Sequence, residues 1–313
     1  MIKINTLLNL FNAKDLWSIG LYEANLDFSF QEKMKNPMKV FNSKKIRTKS
    51  KHIHTWADPF LFLFNGELYL FFESVSHGEH GVIEAIKTSN FKIFVSLGTV
   101  LKTPFHLSYP FVFPCNSSIF MIPESVHANE IALYKFADFP NGLFKSRVLL
   151  EGAYFDSSVI EHNGIWFLFT TSKNGLEIFF SDDIENGNLM AHPSNPITTD
   201  QRYCRCGGTP IIINNDLFRL AQDCSTEYGK NINMFKINKL TETEYDEELM
   251  IEDYFDNLDN WNSLGGHHLS CIEFNGAKII AVDGKQPDYL INNFLPLPYL
   301  IYKKLKRLFV NRE

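Results

Sequence analysis

Three carboxylates in this sequence lie where apolar runs begin or end, a placement that can serve acid–base chemistry. Asp58 lies in ADPFLFLF, Glu124 ends MIPE, and Asp156 lies in FDSSV. Glycosyl transfer needs a carboxylic acid that protonates a leaving oxygen and a carboxylate that acts as base or nucleophile, about 5 to 9 Å away. Neighbouring carboxylates raise one another's pKa and can keep one acid protonated at neutral pH. These three residues are therefore the candidate catalytic residues.

Other polar and aromatic residues occur at equivalent positions and are candidates for substrate binding. They are Trp56, Glu73, Tyr109, Arg205, Asp223, His267, His268 and Asp283. Tyr109, Trp56 and His268 have the chemistry to stack against a sugar ring or to donate to its hydroxyls. Arg205, in the glycine-rich segment RCGG, has paired donors for a phosphate or a carboxylate.

Five segments of the chain share one pattern, and this repeat predicts the elements that position the candidates. Each is an apolar run, a turn that contains Asn, and a second apolar run that ends in a polar residue. The segments are ADPFLFLFNGELYLFFES, SYPFVFPCNSSIFMIPES, FDSSVIEHNGIWFLFTTS, GGTPIIINNDLFRLAQDC and HLSCIEFNGAKIIAVDG. The turn residues Asn65, Asn116, Asn163, Asn215 and Asn275 lie 51, 47, 52 and 60 residues apart. The pattern is typical of a β-hairpin, and the period is typical of propeller blades.

A weaker strand pattern follows each of the first four hairpins, in VIEAIKTS, IALYKFAD, LEIFFSDD and NINMFKIN, and a similar segment, LWSIGLYEAN, lies at the N-terminus. We expect this N-terminal strand to complete the last blade and close the ring, which removes a free sheet edge. The sequence thus predicts an all-β, five-bladed β-propeller forming one domain over residues 1–313. The blades are expected near 55–105, 106–150, 151–200, 201–255 and 256–285, the last joined by 16–30, with a short basic amphipathic C-terminal helix in 290–313.

The hairpin geometry predicts that the candidates converge, because the start of the first strand and the end of the second lie at the same end. Aligned on the turn Asn, the start positions hold Asp58, Tyr109, Asp156, Gly208 and His268, and the end positions hold Glu73, Glu124, Thr171, Asp223 and Asp283. We therefore expect these side chains at one mouth of the central channel. Any one of them could serve only to hydrogen-bond a neighbouring turn. Burying a whole ring of carboxylates costs desolvation free energy, which favours a functional role for the ring as a whole.

Composition narrows the partners and the location. A net charge of −6 argues against nucleic-acid binding, which requires a basic face. Five cysteines, an odd number, fit a reducing compartment. The absence of a cleavage-site pattern and of a long apolar run favours a cytoplasmic protein. The basic tail in 290–313 could contact an anionic membrane peripherally or pack on the body.

The motifs WADPFLF, LYLFFE, HLSYPFVF, MIPES, RCGGTP and YGKNINMFKI, in this order, resemble a family of five-bladed propeller proteins. That family is found beside bacterial surface-polysaccharide genes and as the N-terminal domain of plant glucosamine inositolphosphorylceramide transferase. The resemblance covers roughly residues 16 to 285. More distantly, the fold looks like the glycoside hydrolases of families 43 and 32, in which an Asp that opens the first blade is catalytic. Asp58 holds the matching position, whereas the two further acids of those hydrolases have no motif match here.

Together these observations favour a carbohydrate-active enzyme of cell-surface polysaccharide biosynthesis that transfers a glycosyl group from an activated sugar donor to a glycan acceptor. In this hypothesis Asp58 is the base or nucleophile, Glu124 is the acid, and Asp156 orients them. Arg205 and His268 hold the donor phosphate or the acceptor hydroxyls. The alternatives are a propeller glycoside hydrolase and a non-catalytic sugar-binding or scaffold module. The sequence requires no cofactor or metal, although clustered carboxylates can hold Ca²⁺.

Overall fold

The computed structural model describes residues 14–32, 34, 36–41, 54–76, 79–255 and 261–288. In this part of the chain, 21 strands form five antiparallel sheets, and the only helical element is a short 3-10 turn at Val126–Ala128. This all-β arrangement confirms the predicted five-bladed propeller. None of the described residues forms a helix long and apolar enough to cross a membrane. The helix predicted in 290–313 lies outside the described residues.

The blades follow one another along the chain, and the last one also contains the N-terminal strands. The first blade comprises β3 (His54–Phe64), β4 (Glu67–Ser76), β5 (Val82–Thr88) and β6 (Val95–Leu101). The second comprises β7 (Ser108–Cys115), β8 (Ser118–Glu124), β9 (Glu130–Asp138) and β10 (Asn141–Glu151), and the third β11 (Phe155–His162), β12 (Ile165–Ser172), β13 (Gly175–Ser181) and β14 (Met190–Ala191). The fourth comprises β15 (Arg205–Cys206), β16 (Ile211–Ile213), β17 (Asp216–Asp223), β18 (Asn231–Leu240) and β19 (Tyr245–Ile251). The fifth comprises β20 (Leu269–Phe274), β21 (Ala277–Asp288), β1 (Lys14–Ala24) and β2 (Lys39–Phe41).

The hairpins form where the sequence supplies a turn that fits the twist of the strands. Each aligned turn Asn has a left-handed backbone, with φ between 49° and 68°. At Asn65, Asn163 and Asn275 the next residue is a glycine that also has positive φ. Two successive residues with positive φ make the tight turn that matches the right-handed twist of paired strands. The turns therefore fix the register of the first two strands of these blades.

The first strands of the blades face the central channel, and the hydrophobic core lies between the blades. Strand β3 contacts β7 and β20, and β11 contacts β7 and β15. Four clusters of buried apolar side chains separate neighbouring blades, among them one built around Phe71 and Met121 and one around Leu70 and Ile279. Burial of these faces on both sides of each sheet explains why the second strands read as nearly continuous apolar runs.

The fifth blade contains both ends of the described chain. Strand β1 pairs antiparallel with β21 over its full length, with Ile19 opposite Asp283, and β2 pairs with the outer edge of β1. Leu16, Ile19 and Leu21 of β1 are buried. The edge of β21 is thereby covered by β1.

Candidate active site

The first strand of each of the first three blades carries a β-bulge at the position predicted to face the channel mouth. The backbone is left-handed at Asp58, Tyr109 and Asp156, with φ of 51°, 46° and 49°, and the pairing with the second strand is interrupted there. A left-handed backbone costs a residue other than glycine roughly 1 kcal/mol. Its occurrence at the same structural position in three blades therefore indicates a function for this conformation. Bulges re-aim side chains next to active sites.

Carboxylates join neighbouring blades around this mouth through backbone N–H groups. Asp283, on β21, accepts a hydrogen bond from the N–H of Asp58 (3.2 Å), and Asp58 accepts one from the N–H of Tyr109 (3.1 Å). Glu124, at the end of β8, accepts one from the N–H of Asp156 (3.3 Å). The fifth, first and second blades are thus joined in order, and so are the second and third. Each of these carboxylates therefore also has a structural role.

The fourth blade contributes Arg205 and Gln222. Nε of Arg205 donates to Oδ2 of Asp156 at 2.5 Å, and Nη2 of Arg205 lies 3.8 Å from Oε2 of Glu124. Nε2 of Gln222 donates to the same oxygen of Asp156 at 2.9 Å. The predicted residues Glu124, Asp156 and Arg205 are therefore in contact, with the guanidinium beside both carboxyl groups.

The carboxyl groups of Glu124 and Asp58 are shifted towards their protonated forms. Burial raises the pKa of Glu124 well above its ordinary value and the charge of Asp156 raises it further, while Arg205 opposes both. Burial also raises the pKa of Asp58 well above its ordinary value, against the opposing charge of His267. Both carboxyl groups therefore keep their protons to a higher pH than exposed carboxyl groups do.

His267 connects the buried Asp283 with Tyr228 in the loop between β17 and β18. Its Nδ1 lies 2.6 Å from Oδ2 of Asp283, its Nε2 lies 2.8 Å from the hydroxyl of Tyr228, and Trp17 of β1 stacks on its ring. Burial alone would lower the pKa of His267, but Asp283 raises it above the ordinary value. Burial would raise the pKa of Asp283, but His267 brings it below the ordinary value.

His268 and Tyr109 belong to the buried wall of the channel. The ring of His268 lies 4.3 Å from that of Phe60 and 5.2 Å from that of Tyr109. Burial lowers the pKa of His268 to about 3, so this imidazole is neutral. The Tyr109 hydroxyl accepts from the N–H of Gly208 (2.8 Å) and donates to its carbonyl (3.0 Å), which ties the second blade to the fourth.

Three other sequence candidates have local partners of their own. Glu73 pairs with Nε2 of His106 at 2.9 Å, and Asp223 pairs with Nζ of Lys230 at 2.7 Å. The ring of Trp56 packs on an aromatic ring of β4, with 5.3 Å between the centroids. These contacts fit the simpler interpretation that a polar residue at a strand end serves its own blade.

One group of residues has donor atoms close enough together for a metal ion. Single atoms of Asp58, His267 and Asp283 all lie within 4.8 Å of one another. The oxygens of Asp283, however, already accept hydrogen bonds from the backbone N–H groups of Asp58, His267 and His268. A group that includes an imidazole is also a poor match for Ca²⁺, which prefers oxygen ligands. Among the described residues this group is best explained as a hydrogen-bonded cluster. The expectation that no cofactor is required, although clustered carboxylates can hold Ca²⁺, stays a prediction.

Three residues of the site, Trp17, Gln222 and Tyr228, are not among the sequence candidates. Tyr228 opens YGKN, one of the motifs that carry the family resemblance, and Gln222 directly precedes an aligned end position. Trp17 lies in the N-terminal segment that was expected to join the last blade. Each lies in or beside a segment that the sequence patterns single out, but the direction of a side chain in a loop or at a strand edge cannot be predicted from periodicity.

Comparison with known proteins identifies relatives over most of the chain. The chain is 35% identical over 246 residues to glucosamine inositolphosphorylceramide transferase 1 of Oryza sativa subsp. japonica; the match covers 73% of this chain and 33% of that protein. The chain thus spans about a third of the length of this curated relative.

Solved structures with low sequence identity share the fold. An α-L-arabinofuranosidase of Clostridium thermocellum superposes with a TM-score of 0.54 at 14% identity, covering 76% of this chain and 85% of that one. A β-1,2-mannobiose phosphorylase of Listeria innocua gives a TM-score of 0.54 at 12% identity, covering 85% and 96%. At this level of identity the likeness concerns the fold alone, and it agrees with the resemblance to hydrolase propellers.

The family model that matches the sequence is that of glucosamine inositolphosphorylceramide transferase 1, N-terminal, and it covers residues 12–285. This span reaches all five blades, and the match confirms the resemblance expected from the motifs. The chain therefore belongs to the family of the N-terminal region of glucosamine inositolphosphorylceramide transferase 1.

Proposed function

We propose that the mouth of the propeller binds an activated sugar donor and a glycan acceptor and takes part in glycosyl transfer during surface-glycan synthesis. One observation carries this proposal. Carboxyl groups from the first, second and third blades, those of Asp58, Glu124 and Asp156, meet at one mouth beside Arg205 of the fourth blade. Glycosyl transfer uses a pair of neighbouring carboxyl groups, one of which holds a proton for the leaving oxygen.

The local contacts support different roles for the individual groups. Glu124 is the proposed acid, because its raised pKa keeps a proton available for a leaving oxygen. Asp156 fixes Glu124 and Arg205 in place, and Arg205 offers its remaining donors to a donor phosphate. Asp58 stays the proposed base or nucleophile, and its raised pKa means that it must lose a proton before it acts.

The relatives support sugar chemistry in this region of the chain. Proteins named as glucosamine inositolphosphorylceramide transferases match 73% of this chain, and the family model of their N-terminal region reaches all five blades. This chain corresponds to only a third of such a protein. Transferase activity of this chain is therefore part of the proposal. A cytoplasmic location and a peripheral contact of 290–313 with an anionic membrane belong to the same proposal.

A non-catalytic sugar-binding module is the second candidate function. It is favoured by the fact that the matched region is one part of a longer relative, which leaves room for catalysis elsewhere in that protein. The hydrolase alternative rests on shared fold alone, and release of free sugar to water would distinguish it from transfer.

A thermal-shift screen of the purified protein tests the proposal. The panel contains nucleotide sugars, free sugars, including glucosamine, and Ca²⁺, and it is repeated on Glu124→Gln. The matched control is Glu161→Gln, the same chemical change at the exposed far end of a blade. We expect one nucleotide sugar to raise the melting temperature of the wild type and of Glu161→Gln, with a smaller rise in Glu124→Gln.

The other outcomes separate the alternatives. Stabilisation by free sugars alone, unchanged in Glu124→Gln, would support the binding module. If the nucleotide sugar stabilises Glu124→Gln and Glu161→Gln to the same extent, the mouth is not the binding site, and the proposal is contradicted.

A further inference from the structure

Asp283, His267 and Tyr228 form a continuous chain of contacts from the interior of the propeller to its mouth. Asp283 and His267 are 0% and 1% exposed, whereas Tyr228 is 50% exposed. The successive contacts measure 2.6 Å and 2.8 Å. A hydroxyl within hydrogen-bond reach of a base that is itself oriented by a third group is the arrangement that activates hydroxyl side chains in enzymes.

The hydrogen bonds of Asp283 determine the tautomer of His267, and so whether Nε2 can accept a proton from Tyr228. An ionised carboxylate only accepts hydrogen bonds, and Asp283 already accepts from the backbone N–H groups of His267 and His268. Nδ1 of His267, 2.6 Å from the carboxylate, must therefore carry a proton. In the neutral imidazole Nε2 is then the acceptor, and it lies against the hydroxyl of Tyr228.

The loop that carries Tyr228 is held in place by its neighbours. Nζ of the buried Lys285 donates to the backbone carbonyl of Tyr228. The next residue, Gly229, has φ of 65°, and a Cβ there would lie 2.5 Å from the ring of Trp17. The guanidinium carbon of Arg205 lies 5.1 Å from the centre of the Tyr228 ring. The phenol is thus fixed between Arg205 and His267, across the opening.

Without His267 the mouth would be rich in proton donors and poor in bases. Burial raises the pKa of both Asp58 and Glu124 well above the ordinary values, so both tend to hold protons. Half of the Tyr228 surface is exposed, but desolvation of its hydroxyl by the surrounding side chains raises its pKa, so the phenol proton leaves more readily when another proton replaces it. Attack by an acceptor hydroxyl needs a group that removes its proton.

We infer that Tyr228 carries the proton of the acceptor hydroxyl to His267, with Asp283 as the positioning residue. His267 thereby takes the role of base that the proposed function gives to Asp58, and the inference rests on that function for the nature of the acceptor. The acceptor O–H proton passes to the Tyr228 oxygen while the Tyr228 proton passes to Nε2 of His267. The acceptor oxygen bonds to the anomeric carbon, and the bond from that carbon to the leaving oxygen breaks. The leaving oxygen keeps the electron pair and takes the proton of Glu124. His267 ends as imidazolium and Glu124 as carboxylate, and solvent restores both.

The electrostatic surroundings of the relay come from several blades. The titratable groups around His267 and Tyr228 include Asp58, Glu73, Asp156, Arg205, His268, Asp283 and Lys285. The carboxylates among them favour the imidazolium form of His267, so the relay is expected to become active as the pH rises through a pKa above about 6.5.

Reaction with p-toluenesulfonyl fluoride tests the relay without any sugar. The Tyr228 oxygen would bond to sulfur, fluoride would leave, and the phenol proton would pass to His267. Tyr203 is the internal control: an arginine also lies over its ring, at 4.6 Å, but its hydroxyl bonds to Glu252 rather than to an imidazole. Peptide mass spectrometry should show Tyr228 labelled about a hundredfold faster than Tyr203, a typical gain from an adjacent base.

The variants and the pH profile make the result decisive. The excess rate at Tyr228 should vanish in His267→Gln, and in the wild type it should rise along a single titration above about pH 6.5 while Tyr203 shows no such step. Equal rates at the two tyrosines, or a fast Tyr228 in a folded His267→Gln, would overturn the inference. If that variant does not fold, the wild-type pH profile decides alone. The proposed function has its own readout in sugar binding, so the two can fail separately.

Discussion

The carboxylates at the mouth combine a structural and a chemical role in single side chains. Asp58, Glu124 and Asp283 each accept a backbone N–H from the next blade. Replacing one of these carboxylates therefore changes stability as well as any activity. A loss of activity alone does not show whether the chemistry or the fold was damaged. Variants at these positions need a stability measurement beside each functional one.

Asp156→Asn should destabilise the fold because it leaves the guanidinium of Arg205 beside a neutral group. The Asp156 side chain is 4% exposed and that of Arg205 is 24% exposed. Breaking a largely buried pair of this kind costs about 2 kcal/mol or more in free energy of unfolding. Urea denaturation measures the loss.

Asp200→Asn is the control, because its pair with Arg202 has the same chemistry on the exposed surface. It should leave the denaturation midpoint unchanged. Equal midpoints for the two variants would show that the Asp156–Arg205 contact contributes nothing special to stability.

The sequence predicted part of the site and left another part hidden, for physical reasons. Asp58, Tyr109 and Asp156 could be found because strand alternation and turn position fix where a hairpin begins. Tyr228 could not, since its direction depends on Lys285, Trp17 and the positive φ of Gly229, which the fold brings together. The sequence predicts only that neighbouring carboxylates raise one another's pKa. The size of the shifts depends on burial, which the sequence does not give.

At the level of the strands, the fourth blade departs from the other four. Its first strand is divided into β15 and β16, and Gly208 lies between them with φ of 146°. Gly208 forms a parallel bridge to Leu269 of the fifth blade. Its N–H donates to the Tyr109 hydroxyl of the second blade, and its carbonyl accepts from that hydroxyl. Arg205 lies in β15, just before this break, and its guanidinium contacts Asp156, so the irregular strand is part of the site.

Gly208→Ala should disrupt this junction. An added Cβ would lie 1.9 Å from the carbonyl oxygen of Leu269, a backbone atom that cannot move alone. We expect a loss of about 3 kcal/mol or more in the free energy of unfolding, measured by thermal or chemical denaturation.

Gly164→Ala provides the comparison. Gly164 also has positive φ, but nothing lies within 4 Å of an added Cβ. Only backbone strain of about 1 kcal/mol is expected. A similar cost for both variants would contradict the steric explanation.

For the whole molecule, the period of the turns was sufficient to predict the fold. Five turns with left-handed Asn, each between two apolar runs, correspond to the five blades observed. The spacing could not reveal that the bulges at Asp58, Tyr109 and Asp156 share one conformation, because a bulge arises from the packing between blades.

Removing residues 1–24 should leave the last blade without β1. The edge of β21 would be uncovered, and the buried contacts of Leu16, Ile19 and Leu21 would be lost. At about 1.5 to 3 kcal/mol for each buried aliphatic side chain, the loss approaches the total stability of many domains. Size-exclusion chromatography and circular dichroism should show association or unfolding.

A synthetic peptide of the β1 sequence, KDLWSIGLYEA, should restore the monomer when added to the shortened chain, and a scrambled peptide should not. An intact, monomeric propeller without the peptide would contradict this account of the fifth blade.

The pairing of β1 with β21 also constrains the order in which the blades fold during synthesis. About 260 residues separate Ile19 from its partner Asp283, and such distant contacts form slowly. During synthesis, β1 leaves the ribosome long before its partner strand exists. The edge of β1 that faces β21 must therefore wait, uncovered, while four blades emerge, and in that interval it is open to pairing with other chains.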